Sequence, residues 1–202
     1  MEQRNVIPQL EKLISREAKE FKLGQHAKVM WFTGLPCSGK TTLALATEKE
    51  LFARGFFCQV LDGDNVRIGI NNNLGFSNAD RLENIRRIAE ISKLFLSAGV
   101  IIICAFVSPT NEMRGLAREI IGENDFIEIF LNPTLASCEQ RDVKGMYKKA
   151  RAGQIAEFTG VNAPYEIPVN PNMEIRTDTE NIETSLQQIL DNILPIISLQ
   201  IG

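Results

Sequence analysis

The chain has a single histidine, His26, and no two of its four cysteines stand at CxxC spacing. A histidine-built metal centre is therefore not expected. Cys37, Cys58, Cys104 and Cys138 are too scattered to read as a disulfide framework. No apolar run reaches the roughly 18 residues that a membrane-spanning helix needs. The opening "MEQRNVIPQLEKL" is too polar for a secretion signal, so a reducing cytoplasm is the expected compartment and no membrane partner is expected. A formal charge of −3 gives no general attraction to a nucleic-acid backbone, and small anions must be recognised by local clusters. No internal repeat is visible, and 202 residues suffice for one well-buried core or at most two small ones.

What the sequence does have is alternation. Residues 9–22 place Leu10, Leu13, Ile14, Ala18 and Phe21 at helical spacing, which predicts an amphipathic helix packing on the body of the protein or on a neighbouring subunit. Strands are predicted at 27–33, 57–63, 100–107, 126–132 and 173–178. Helices are predicted at 40–53, 80–98, 111–121, 134–141 and 181–194, with Asp80 capping the second and Gly99 closing it. "VIIICAFV" (100–107) is apolar throughout, as a central parallel strand covered on both faces would be. The pattern predicts an α/β doubly wound parallel sheet of about five strands with helices on both faces. Residues 1–26 read as an N-terminal helical extension and 27–202 as one domain, within which 142–172 reads as a lid or binding loop.

The turn after the first strand, "GLPCSGKTT" (34–42), fits G-x-x-x-x-G-K-[ST]. Gly34 and Gly39 let the backbone of Leu35, Pro36, Cys37 and Ser38 curl so that N–H groups converge on phosphate oxygens. The next helix adds the partial positive charge of its N-terminus. Lys40 supplies a cation for the β- and γ-phosphates of ATP, and Thr41, followed by Thr42, offers a hydroxyl to Mg²⁺. Cys37 near a helix N-terminus is either a reactive thiol or an inert one, and inert is the reading preferred. Such a loop serves a kinase, a GTPase switch or a motor equally well.

"LDGDNVR" (61–67) ends the second strand, where the carboxyl ends of an open α/β sheet face the ligand. Asp62 and Asp64 suit two jobs, one holding Mg²⁺ through water and the other orienting or deprotonating an attacking hydroxyl. A tight turn shaped by Asp and Gly is the alternative. Arg67 stands ready for an anionic substrate. Phe76, in a polar loop, reads as a stacking platform for a base or as a loop anchor. Arg81 and Asn84 share one side of the following helix, with Arg86 and Arg87 nearby.

Together "GLPCSGKTT", "LDGDNVRIGINNNLGFSNADRLENIRRIAEISKLF", "FVSP", "CEQRDVKGMYKKARAGQIAEFTG" and "APYEIP" resemble the consecutive motifs of the adenylylsulfate kinase (APS kinase) family of P-loop kinases over about residues 29–195. Pro36 and Cys37 depart from the family's usual loop. The resemblance implies transfer of the ATP γ-phosphoryl to the 3′-hydroxyl of adenosine 5′-phosphosulfate. It makes Asp64 the group at that hydroxyl and Asp62 the Mg²⁺-side carboxylate. Arg67, Arg81 and Asn84 hold the phosphosulfate end, while Phe76 and Phe158 sandwich the acceptor adenine. Val107 and Ser108 end the central strand beside the pocket. The family's matching serine is described as a phosphoserine intermediate, but Ser108 has no evident base nearby in sequence, and a substrate hydrogen bond is the role read here. The basic stretch with Lys144, Lys148, Lys149 and Arg151, and Arg141 just before it, reads as a lid closing over the phosphates. Thr177 and Asp178 are expected to flank the ATP base, the alternative being that Asp178 or Thr179 caps the last helix. A homodimer is expected, and a functional link to ATP sulfurylase is carried with the resemblance.

Overall fold

The computed structural model describes residues 12–199. Five strands form one sheet: β1 (Val29–Gly34), β2 (Cys58–Asp62), β3 (Ile101–Ala105), β4 (Phe126–Leu131) and β5 (Met173–Ile175). Their order is β2-β3-β1-β4-β5, and every neighbouring pair is parallel. Because all strands run one way, their carboxyl ends line one edge, and β1 lies at the centre between β3 and β4. The chain moves from β1 outward to β2, returns through β3, then crosses to β4. A crevice therefore opens above β1, where ligands bind in such sheets.

Alternation along the strands sorts the core into two layers. Met30, Phe32, Ile101, Ile103, Ile127 and Ile129 face one side, under α2 (Lys40–Ala53) and α8 (Ile182–Ile197). Val29, Trp31, Ile102, Cys104 and Phe126 face the other, under α4 (Asn78–Ser97) and α5 (Asn111–Ile121). Burial on both faces explains the unbroken apolar run of β3, each fully buried Ile or Leu contributing about 1.5–3 kcal/mol. Trp31 is held between Phe106 and Phe126, each with ring centroids 5.6 Å from the indole.

Several expectations shift. The cap of α4 is Ser77, whose hydroxyl accepts from the amide of Asp80; a serine in extended backbone three residues ahead serves the free N–H better than an aspartate already inside the helix. Gly99, at φ 80°, does follow the end of α4. The last helix is capped by Asn181 and not by Asp178 or Thr179, and it continues to Ile197 through Pro195. Two short helices, α3 (Gly63–Ile68) and α7 (Met146–Arg151), were not predicted. Leu10 lies outside the described residues.

The N-terminal helix, α1 (Arg16–Leu23), packs on the body by its polar side. Arg16 pairs with Asp125 at 2.5 Å, Glu20 accepts from the amide of Ala27 at 2.8 Å, and Lys19 reaches the carbonyl of Ser97 at 2.8 Å. Leu13, Ile14 and Phe21 point outward, 63–74% exposed. Of the two contacts expected for the apolar face, the one with the body is not made, because a cluster of ion pairs and carbonyls takes the polar face instead.

Candidate active site

Gly34 leaves β1 at φ 149°, and a Cβ there would lie 2.5 Å from the carbonyl of Leu131, so only glycine fits against β4. Cys37 (φ 60°) and Gly39 (φ 98°) then curl the backbone into the opening turn of α2. Lys40 is buried and folds back on the loop, donating to the carbonyls of Gly34 (3.0 Å) and Leu35 (2.7 Å) and to Ser38 Oγ (3.3 Å). Burial lowers its pKa to about 8. The same cause raises the pKa of the Cys37 thiol.

Arg141, at the end of α6 (Leu135–Arg141), donates to the carbonyl of Cys37 at 3.4 Å and to Thr177 Oγ1 at 3.1 Å. Thr177 itself donates to the carbonyl of Ser38 at 2.8 Å. Thr177 thus sits against the phosphate loop, whereas Asp178 accepts from the amide of Thr134 at the start of α6 (2.8 Å). The β5 exit therefore splits its two candidates between the loop and a neighbouring helix.

At the end of β2, Asp62 Oδ1 accepts from the amide of Asp64 (3.0 Å), capping α3, and Oδ2 accepts from Thr41 Oγ1 (2.7 Å). The carboxylate of Asp64 is exposed and forms an ion pair with Lys144. Two oxygen ligands of the type Mg²⁺ favours, Thr41 and Asp62, are thereby in contact beside the phosphate loop.

Beyond the aspartates, the Arg67 guanidinium lies 4.4 Å from the centroid of Phe76 and that of Arg81 lies 5.8 Å away. Phe76 is 61% exposed. Burial lowers the pKa of both arginines, and Arg67 lowers that of Arg81 further. Two cations held together this way gain most from an anion between them. Arg67 meanwhile donates to the carbonyls of Leu74 and Gly75, and Arg81 to those of Phe76 and Glu157.

Arg81 and Asn84, read as acting side by side, have different surroundings. Arg81 bridges to the 157–159 segment, while Asn84 is buried and accepts from Asn71 Nδ2 at 2.9 Å. Asn84 comes from the helix face that turns inward, one turn after Arg81. Phe158 meets Tyr147 edge-on, centroids 4.9 Å apart, rather than lying on Phe76.

The stretch 142–172 is docked at both ends. Asp142 accepts from the amides of Tyr147 and Lys148, and Tyr147 donates to the carbonyl of Pro36 at 3.0 Å, setting α7 over the phosphate loop. Further on, Tyr165 meets Thr33 Oγ1 at 2.9 Å and the amide of Glu166 donates to the carbonyl of Pro109 at 2.8 Å. Of the basic residues grouped in this stretch, Lys144 reaches Asp64. Arg151 pairs with Glu139, and Lys148 and Lys149 are exposed.

Ser108 is buried at φ 37°, its hydroxyl accepting from Trp31 Nε1 (3.0 Å) and donating to Thr33 Oγ1 (3.2 Å). Thr33 in turn donates to the carbonyl of Val107 at 2.8 Å. Sequence reading missed Thr33, Tyr147, Tyr165 and Arg114 here. "APYEIP" was noted as a motif, but nothing local says that its tyrosine returns to the central strand.

A nucleotide switch has no use for a second carboxylate beyond the one that meets its phosphate loop; with this fold, such a site defines a P-loop kinase. Residues 26–176 match the Adenylylsulphate kinase family, and the chain belongs to that family. It is 53% identical over 198 residues to an adenylyl-sulfate kinase of Bacteroides thetaiotaomicron, covering 98% of each chain. It is 49% identical over 183 residues to one from Prochlorococcus marinus, covering 91% of each. The APS kinase of Mycobacterium tuberculosis, solved in complex with AMPPNP and APS, superposes with a TM-score of 0.81 at 42% identity, covering 84% of this chain and 98% of that one.

Proposed function

We propose that the protein transfers the γ-phosphoryl group of ATP to the 3′-hydroxyl of adenosine 5′-phosphosulfate, yielding 3′-phosphoadenosine 5′-phosphosulfate and ADP, as an adenylyl-sulfate kinase of sulfate activation. The observation that carries the reading is Asp62, which accepts from Thr41 Oγ1 with one oxygen and from the backbone amide of Asp64 with the other, tying the phosphate loop to the segment that bears the acceptor-side carboxylate.

Gly34 to Thr42 cradle the triphosphate, with Lys40 exchanging loop carbonyls for phosphate oxygens and Arg141 flanking the nucleotide beside Thr177. Thr41 and Asp62 would hold Mg²⁺, the latter partly through water, and the ion would supply charge neutralisation at the phosphates. Asp64 accepts a hydrogen bond from the acceptor's 3′-hydroxyl and takes its proton as the oxygen bonds to phosphorus and ADP leaves. Lys144, already beside Asp64, offsets the charge that gathers there. Arg67 and Arg81 bind the phosphosulfate, Asn84 shapes the wall behind them, and Phe76 and Phe158 enclose the adenine. Val107 and Ser108 meet the acceptor through the turn they form, and the 142–172 segment excludes water that would compete with the hydroxyl.

Leu13 and Ile14, just before α1, and Phe21 on its outer side serve a homodimer. The protein works in the cytoplasm, functionally linked to an ATP sulfurylase. Release of ADP tests the central reading when ATP is given alone, with adenylylsulfate, and with AMP. Turnover dependent on adenylylsulfate is expected; equal rates in all three would overturn it.

A further inference from the structure

The geometry points to Arg114 as the positioning residue that sets the Val107–Ser108 turn and the returning end of the 142–172 segment as one unit, so that acceptor affinity depends on it. The inference rests on the kinase reading above and assigns a role to a residue that touches neither ligand there.

Arg114 is 3% exposed, on the inner face of α5. Its guanidinium donates to the carbonyl of Ser108 (2.7 Å), to Asn111 Oδ1 (2.6 Å) and to the carbonyl of Glu166 (2.6 Å). Its Nε lies 3.0 Å from Glu128 Oε1, and the ring of Tyr165 stands 5.6 Å away. Glu128 interrupts an apolar strand face in β4 and is buried, its other oxygen taken by Arg118 at 2.9 Å. A charge placed in a core is costly unless paired, so this one needs a specific partner.

Ser108 has a left-handed backbone, which a side-chain-bearing residue keeps only when its surroundings over-determine it. Two donors do so from below, Arg114 on the carbonyl of Ser108 and Thr33 on that of Val107. The fork of one guanidinium reaches Ser108 and Glu166 together, which a lysine's single ammonium cannot reproduce. Tyr165 and Glu166 close the loop, since Glu166 Oε2 also accepts from the amide of Asn111 at 2.7 Å. Lys40, Arg141 and Thr177 share no hydrogen bond with Arg114, and Thr33 is where the unit comes nearest the phosphate loop, so the ATP side is the less dependent on it.

Steady-state kinetics of the wild type, Arg114→Lys and the charge-neutral double variant Arg114→Met with Glu128→Gln test the assignment. Both variants are expected to raise KM for adenylylsulfate about 10-fold or more, with KM for ATP changed less than about 2-fold. The lysine variant should be the milder. Loss confined to thermal stability or protein yield, with acceptor KM unchanged, overturns it and leaves an ordinary buried ion pair. A wild type inactive on adenylylsulfate instead defeats the kinase reading itself. If neither variant folds, hydrogen exchange of the wild type decides: adenylylsulfate should protect the Glu166 amide beyond AMPPNP alone, and equal protection overturns the assignment.

Discussion

Thr41 Oγ1 donates to Asp62 Oδ2 across 2.7 Å, joining the first turn of α2 to the end of β2. Those residues stand 21 apart in sequence, on segments that share no strand pairing. The contact puts the ligands proposed for Mg²⁺ in place before any nucleotide arrives.

Asp62→Asn keeps an oxygen to cap α3 but removes the charge. Turnover should fall by about 100-fold or more, and the Mg²⁺ concentration for half-maximal rate should rise. Magnesium titrations at saturating ATP check this; an unchanged midpoint would remove Asp62 from the metal.

Asp64→Ala deletes the proposed proton acceptor and leaves Lys144 without its partner. A drop in kcat of about 10²–10⁴-fold is expected, with AMPPNP affinity retained. Calorimetry with AMPPNP beside single-turnover rates separates the two. Weakened AMPPNP binding with normal chemistry would reverse the assignment.

Phe76→Ala should chiefly weaken acceptor binding, because base–aromatic stacking contributes about 1–3 kcal/mol. Arg67 already lies over the ring, so truncation also frees that guanidinium. Acceptor KM measured at saturating ATP is the readout; a value within 2-fold of wild type, roughly the scatter of such assays, sinks the stacking role.

Ser108→Ala should retain a rate within about 10-fold of wild type, since the hydroxyl already serves Trp31 and Thr33 inside the fold. Labelled ATP should leave no phosphate on the serine. A phospho-enzyme that forms and decays at the rate of turnover would contradict this.

The Lys40 pKa is lowered to about 8 in the free enzyme by burial. Its charged form is the one proposed to bind phosphate, so kcat/KM for ATP should be level below that pH and fall as pH rises through about 8. Stability runs the other way: the lowered value means the buried ammonium opposes folding at neutral pH, and this opposition fades between the folded and unfolded pKa values. A flat profile of kcat/KM from pH 7 to 9, spanning about one unit either side, would refute the first statement.

How much of this was written locally is clear from particular residues. The phosphate loop is legible because eight consecutive residues specify both its glycines and its lysine, and the apolar run of β3 announces its two-sided burial. The outward face of α1 was not, since amphipathic spacing says nothing of which face meets the body when Asp125 and the carbonyl of Ala27 await Arg16. Asn84 and Arg81 look equivalent on a helical wheel, yet buried Asn71 claims one and the 157–159 segment the other. Glu128 and Arg114 come from different elements, and their meeting depends on where α5 lies across the sheet.

The lysine folded onto Gly34, Leu35 and Ser38 has a calorimetric consequence. With Lys40 in its proposed role, nucleotide arrival trades an existing set of polar contacts for a new one, so the heat released at that side chain reports only their difference. A small enthalpy on titrating ATP would then coexist with a large loss of affinity on deleting the ammonium, and neither measurement would contradict the other.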